Sequence, residues 1–209
     1  MYKSDIDYSL YLVTDRDLLG GKELSKTVQQ AIQGGVTVVQ IREKNVSSLE
    51  FFQVAVAVKA VTEKYNVPLI VNDRADIALA VDAAGLHIGQ DDLPLVAARK
   101  LLGPDKIIGV STATLEEALL AQSQGADYIG VGAIYPTKTK GDADSVSLPE
   151  LQAIKAAVQI PVVAIGGINS SNLQAVIKTG VDGAAVVSAI IAAEDPYAAA
   201  HRLQQLTKK

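Results

Sequence analysis

Short runs of Val, Ile, Leu and Ala, each closing on a polar residue or a glycine, alternate along this chain with longer segments rich in Ala, Leu, Glu, Lys and Gln. The runs read as strands buried on both faces and the longer segments as helices, which is the rhythm of a parallel sheet. Strands are predicted at Ser9–Thr14, Thr37–Arg42, Pro68–Asn72, Gly85–Gly89, Lys106–Ser111, Tyr128–Ala133, Pro161–Gly166 and Gly183–Ser188. Helices are predicted near Leu24–Gln33, Ser48–Tyr65, Arg74–Asp82, Leu93–Leu102, Thr114–Gln124, Leu148–Val158, Ser171–Thr179 and Pro196–Leu206. Eight such units in 209 residues average about 26 residues each, short for an eightfold barrel but within its range. Glycines at Gly34-Gly35, Gly125 and Gly180 fall where a helix end needs a left-handed residue before the next strand. The prediction is an α/β chain, a single-domain (β/α)8 TIM barrel over residues 1–209 with residues 1–8 as an N-terminal extension. The same alternation also allows a doubly wound open sheet.

Composition narrows the function. Lys and Arg number 19 against 23 Asp and Glu, a net charge of −4, which argues against a nucleic-acid partner. With 49% hydrophobic and 20% charged residues the chain can bury a large core and is too apolar for disorder. The absence of Cys excludes disulfides, thiolate metal sites and a cysteine nucleophile. No apolar run reaches the roughly 18–20 residues that span a bilayer, and Met1 to Asp7 lacks the plan of a signal peptide. A cytoplasmic protein without membrane partners is expected; the oligomeric state stays open, with a homo-oligomer allowed.

In a barrel of this kind the chemistry gathers at the carboxyl ends of the strands. After the second strand come Gln40-Ile41-Arg42-Glu43-Lys44, and a period of two sends Gln40, Arg42 and Lys44 to one side. A guanidinium fork beside an ammonium suits an anion with several oxygens, such as diphosphate; ordinary ion pairing, with Glu43 for example, is the alternative. The third strand ends in Asn72-Asp73-Arg74 and the fourth is followed by Gly89-Gln90-Asp91-Asp92. Asp73 and Asp92 next to a phosphate-binding strand end suit Mg²⁺, which takes one or two carboxylates plus substrate phosphate oxygens and water. The alternative is that both cap the helices that follow; Asp91 is expected to be solvated. Ser111 ends the fifth strand, and a long polar loop, Tyr135 to Ser147, follows the sixth and could close over a phosphate or simply be solvated. Gly166-Gly167 and Val187-Ser188 follow the seventh and eighth strands, where barrels bind phosphate through loop amides and a helix N-terminus; a tight turn alone is the alternative. His87, inside the fourth strand, reads as a hydrogen-bonded core residue, and His201 as exposed. Neither a nucleophile elbow nor a Walker A motif is present. The set lacks an acid–base couple and points to catalysis by leaving-group stabilisation.

Gln40-Ile41-Arg42-Glu43-Lys44, Asn72-Asp73-Arg74, His87-Ile88-Gly89-Gln90-Asp91-Asp92, Tyr135-Pro136-Thr137 and Ile165-Gly166-Gly167-Ile168 resemble the thiamine-phosphate synthase family, from about Leu10 to Leu206. The resemblance implies a (β/α)8 fold and a Mg²⁺-dependent transferase with two small-molecule substrates. Members join 4-amino-2-methyl-5-(diphosphooxymethyl)pyrimidine to 4-methyl-5-(2-phosphooxyethyl)thiazole in thiamine biosynthesis, releasing diphosphate. By position, Gln40, Ile41, Arg42, Glu43, Lys44, Asn72, Ser111 and Lys140 look like binders of the pyrimidine diphosphate, and Asp73 and Asp92 like magnesium ligands. Thr137, Lys138, Thr139, Gly167, Val187 and Ser188 match the segments around the thiazole phosphate. Arg42, Lys44 and Lys140 would assist departure of diphosphate in a dissociative substitution. Ile41, where many members carry an aromatic or other apolar residue, is expected to point away from the diphosphate. A tautomerase branch with the same fold carries a His where this chain has Ala133, and a non-catalytic phosphate-binding barrel would not need both cations and both carboxylates.

Overall fold

The computed structural model describes residues 3–137 and 145–208. Within them, parallel strands β1 (Leu10–Val13), β2 (Val38–Ile41), β3 (Leu69–Asn72), β4 (Gly85–Ile88), β5 (Ile107–Thr112), β6 (Tyr128–Val131), β7 (Val162–Ile165) and β8 (Gly183–Val186) pair in sequence order. β8 pairs back onto β1 with Tyr11 opposite Ala185, so the sheet closes and the open-sheet alternative falls away. Around it run α1 (Leu24–Gln33), α2 (Ser48–Lys64), α3 (Ala75–Ala80), α4 (Leu95–Leu102), α5 (Leu115–Ser123), α6 (Leu148–Ala157), α7 (Leu173–Ile177), α8 (Ser188–Ile191) and α9 (Pro196–Thr207). Among the described residues no helix is long and apolar enough to cross a membrane.

Local chemistry sets these boundaries. Ser47 and Asp195 accept amide hydrogens at the starts of α2 and α9. Thr114 with Glu117 and Ser147 with Glu150 form reciprocal capping boxes on α5 and α6, each satisfying two amides that the first helical turn leaves without partners. Gly125 and Gly180 adopt φ of +90° and +89° at the helix-to-strand joints, the conformation for which a glycine was expected there. The predicted strand at Gly183–Ser188 is shorter than expected, because Ser188 opens the one-turn helix α8. In an uninterrupted apolar run, periodicity cannot separate a buried strand from a buried turn of helix.

Strand residues alternate between two apolar layers. Leu10, Leu12, Val39, Ile41, Leu69, Val71, Leu86 and Ile108 face the helices, whereas Tyr11, Val13, Val38, Ile70, Ile107, Tyr128, Val163 and Ala185 fill the barrel interior. Each fully buried aliphatic side chain contributes about 1.5–3 kcal/mol, so a one-residue slip of any strand would exchange the layers at large cost. Ahead of β1, Tyr8 is buried in the interior cluster with its ring centroid 4.9 Å from that of Tyr128, and Lys3 ion-pairs with Asp127.

Candidate active site

The carboxyl ends of the strands surround a cavity of about 380 Å³. Gln40, Arg42 and Lys44 line it from the β2 end, Asn72 and Asp73 from β3, His87 and Asp92 from β4, and Ser111 from β5. Thr137, Gly167, Val187 and Ser188 line it from the side of β6 to β8. The proposed anion-binding and metal-binding residues therefore share one space. Lys138, Thr139 and Lys140 lie outside the described residues.

The two remaining members of the β2 segment turn away. Ile41 is fully buried in the layer between sheet and helices, as period two requires. Glu43, grouped with the substrate binders, instead ion-pairs with Arg16, which also reaches Glu50 on α2. Its side chain is fully enclosed; burial pushes its carboxyl above the usual carboxylate range and the Arg16 charge opposes that. Neither Ile41 nor Glu43 lines the cavity. The ion pair has a positional consequence: it ties the loop after β1 to the end of β2. There the Arg42 amide donates to Thr14 Oγ1 at 3.0 Å and the Arg42 guanidinium lies 3.6 Å from Asp15.

Asp73 leaves β3 at φ +62°, a left-handed conformation that Asp tolerates better than most residues, and its Oδ2 pairs with Lys44 Nζ. Asp92 reaches back to accept the Gly89 amide at 2.7 Å. Neither carboxylate caps a helix: the residues at the starts of α3 and α4 are Arg74 and Pro94, with no side-chain cap. The two acids lie close enough to interact. Burial raises the Asp92 carboxyl above its ordinary range, the Gly89 amide pulls it down, and the neighbouring Asp73 pushes it up. Like charges held together ask for a cation. Among the described residues no group of three or more His, Cys, Asp or Glu is placed to hold a metal; Asp73 and Asp92 form a pair of carboxylates that line the cavity. The pair fits Mg²⁺, which keeps water and substrate phosphate oxygens in its remaining positions, and does not fit an ion that needs an all-protein cage.

Sequence reasoning missed the cavity floor. Tyr11 and Tyr128, both buried, line it together with His87 and Gly130; tyrosines inside strands carry no signal that tells core from site. His87 is hydrogen-bonded as expected, but its partners belong to the cavity wall. Ala133 lines the cavity as well and offers no imidazole there.

A closed parallel barrel that collects two cations, a carboxylate pair and a glycine-bearing loop at its strand ends defines a (β/α)8 enzyme for phosphorylated small molecules. The family model described as thiamine monophosphate synthase matches residues 10–190, and the chain belongs to that family. It is 57% identical over 203 residues to thiamine-phosphate synthase of Clostridium tetani, covering 97% of each chain. It is 56% identical over 207 residues to that of Alkaliphilus oremlandii, covering 99% of each. The solved thiamine phosphate pyrophosphorylase of Pyrococcus furiosus superimposes with a TM-score of 0.90 at 42% identity, over 97% of this chain and 96% of that one.

Proposed function

We propose that this transferase makes thiamine phosphate by joining a pyrimidine methyl diphosphate to a thiazole ethyl phosphate, with release of diphosphate. The observation that carries the reading is the placement of Arg42 and Lys44 beside the interacting pair Asp73 and Asp92, across one cavity from Gly167, Val187 and Ser188. One wall of that cavity suits a diphosphate and the other a single phosphate.

Arg42 and Lys44 bind the diphosphate oxygens and stabilise the charge that grows as the carbon–oxygen bond to the pyrimidine methyl group breaks, the electron pair leaving with diphosphate. Lys140 joins them from the loop after β6. The cationic pyrimidine methyl carbon that remains is stabilised by the ring's own amino group, and the thiazole nitrogen attacks it to form the new carbon–nitrogen bond. Asn72 and Ser111 orient the diphosphate end; Thr137, Lys138, Thr139, Gly167, Val187 and Ser188 hold the thiazole phosphate, loop amides being natural donors to an anion. Asp73 and Asp92 would hold Mg²⁺, which supplies positive charge to the diphosphate. No protein nucleophile is needed. Both substrates carry phosphate charges that keep them behind a membrane, so we place the reaction in the cytoplasm.

The test is a coupling assay. The purified protein with both substrates and Mg²⁺ should form thiamine phosphate and diphosphate in equal amounts, and a chelator should stop it. Unaltered substrates under those conditions would defeat the reading.

A further inference from the structure

A chain of hydrogen bonds crosses the cavity floor and joins residues of five different strands. Gln40 Nε2 donates to Tyr11 Oη at 2.9 Å, Tyr11 Oη lies 2.7 Å from Tyr128 Oη, Tyr128 Oη lies 2.9 Å from His87 Nδ1, and His87 Nε2 lies 2.9 Å from Ser111 Oγ. Every member lines the cavity. The barrel makes room for the rings: a Cβ at Gly109 would fall 2.1 Å from the Tyr128 ring, and one at Gly130 would fall 3.2 Å from His87 Cε1. Burial pushes both phenols well above their ordinary range, so each keeps its proton.

Requiring each phenol proton to meet an acceptor within this chain selects one arrangement. Each hydroxyl has a single proton to give. Tyr11 accepts from the Gln40 amide, and its own proton goes on to Tyr128. Tyr128 then accepts from Tyr11, and its proton goes to His87 Nδ1. In that arrangement the imidazole proton sits on Nε2 and points at Ser111 Oγ, 2.9 Å away.

We propose that this chain is one directional unit in which His87 is a positioning residue. By donating from Nε2 to Ser111 Oγ, it leaves the Ser111 hydroxyl proton to be given to an anionic oxygen of the bound substrate. Reversed, the same chain would spend the Ser111 proton on the imidazole and present lone pairs to an anion. The catalytic half of the proposal rests on the reading of Ser111 as a diphosphate contact; the direction of the chain rests on the hydrogen-bond distances together with the proton count, and on no substrate.

Two experiments test it. The protein has 2 His, so ¹⁵N-histidine labelling gives two imidazoles, and the exposed His201 on α9 is assigned with His201→Gln. Long-range ¹H–¹⁵N correlations on the substrate-free enzyme should show His87 protonated at Nε2, and Tyr128→Phe should mix its tautomers. Protonation at Nδ1, or a mixture in the unaltered protein, overturns the proposal. The second experiment is a double-mutant cycle. Ser111→Ala should lower kcat about ten- to hundredfold, a charged hydrogen bond's share. His87→Ala should lower it about three- to tenfold and have no further effect in the Ser111→Ala background, because coupled residues fail to add. His87→Gln, which returns an amide donor near the place of Nε2, should recover part of the loss. Independent, multiplying losses overturn the proposal. Should His87→Ala unfold, the His87→Gln variant and the tautomer of the unaltered protein decide it. Absence of thiamine phosphate formation by the unaltered enzyme would overturn the functional reading, and the tautomer measurement, which needs no substrate, would still decide the direction.

Discussion

Lys44 and Asp73, at the ends of adjacent strands, meet in an ion pair at the mouth of the barrel. In the proposed mechanism the pair joins a cation for the diphosphate and a carboxylate for the metal. A divalent ion arriving before substrate must compete with the Lys44 ammonium for Asp73. Lys44→Ala should therefore tighten binding of Mg²⁺ to the substrate-free enzyme by about two- to fivefold, the share of a partly exposed pair. The same change should raise KM for the pyrimidine diphosphate. Calorimetric titration with Mg²⁺ alone and steady-state kinetics check both signs; weaker metal binding in the variant would show that Lys44 and the metal do not share Asp73.

Asp92 accepts the Gly89 amide and feels the Lys44 charge and the neighbouring Asp73. Asp92→Ala should cut Mg²⁺-dependent turnover by about tenfold or more, a charged contact's share, while binding of the thiazole phosphate, measured separately by calorimetry, changes little. Equal losses in both would place Asp92 in the general architecture of the mouth.

For Arg42, whose main-chain amide is held by Thr14, truncation should leave the fold intact and remove a charge-assisted contact to the leaving group. Arg42→Ala should cost about 1.5–3 kcal/mol in the barrier, a ten- to hundredfold drop in kcat/KM, read in the coupling assay. An unchanged rate would remove Arg42 from the site.

Glu43 gives the pH prediction. Burial raises its carboxyl above the unfolded value, so between the unfolded and folded values the native state binds more protons than the unfolded chain, and stability falls as pH rises through that window. Its contribution is fully present below the unfolded value. Urea unfolding of the unaltered protein and of Glu43→Gln across the acid range should show the advantage of the unaltered protein shrinking as pH increases. An advantage that grows with pH would mean that the Arg16 charge outweighs burial.

Much of the site was legible because its residues stand shortly after apolar runs. Arg42, Lys44, Asp73 and Asp92 follow the ends of their strands within one to four residues, and in a parallel barrel these strand ends open on the same rim. Glu43 stands in the same stretch, but an odd step in an extended chain turns its side chain to Arg16. Tyr11 and Tyr128 could not be found, since an aromatic inside an apolar run looks the same whether it packs against a helix or meets a histidine in the interior.

The order of strands and helices, the glycine joints, the capping boxes and the alternation within each strand are properties of neighbouring residues, and the amino-acid sequence alone determines them through short-range sterics and hydrogen bonding. Which carboxylates meet, which tyrosines touch, and that β8 closes onto β1 depend on groups far apart in the chain. Parity along a strand says that residues share a face but not which face becomes the interior. Ring closure makes that choice, because only in the closed barrel do the ends of non-adjacent strands come within reach of one ligand.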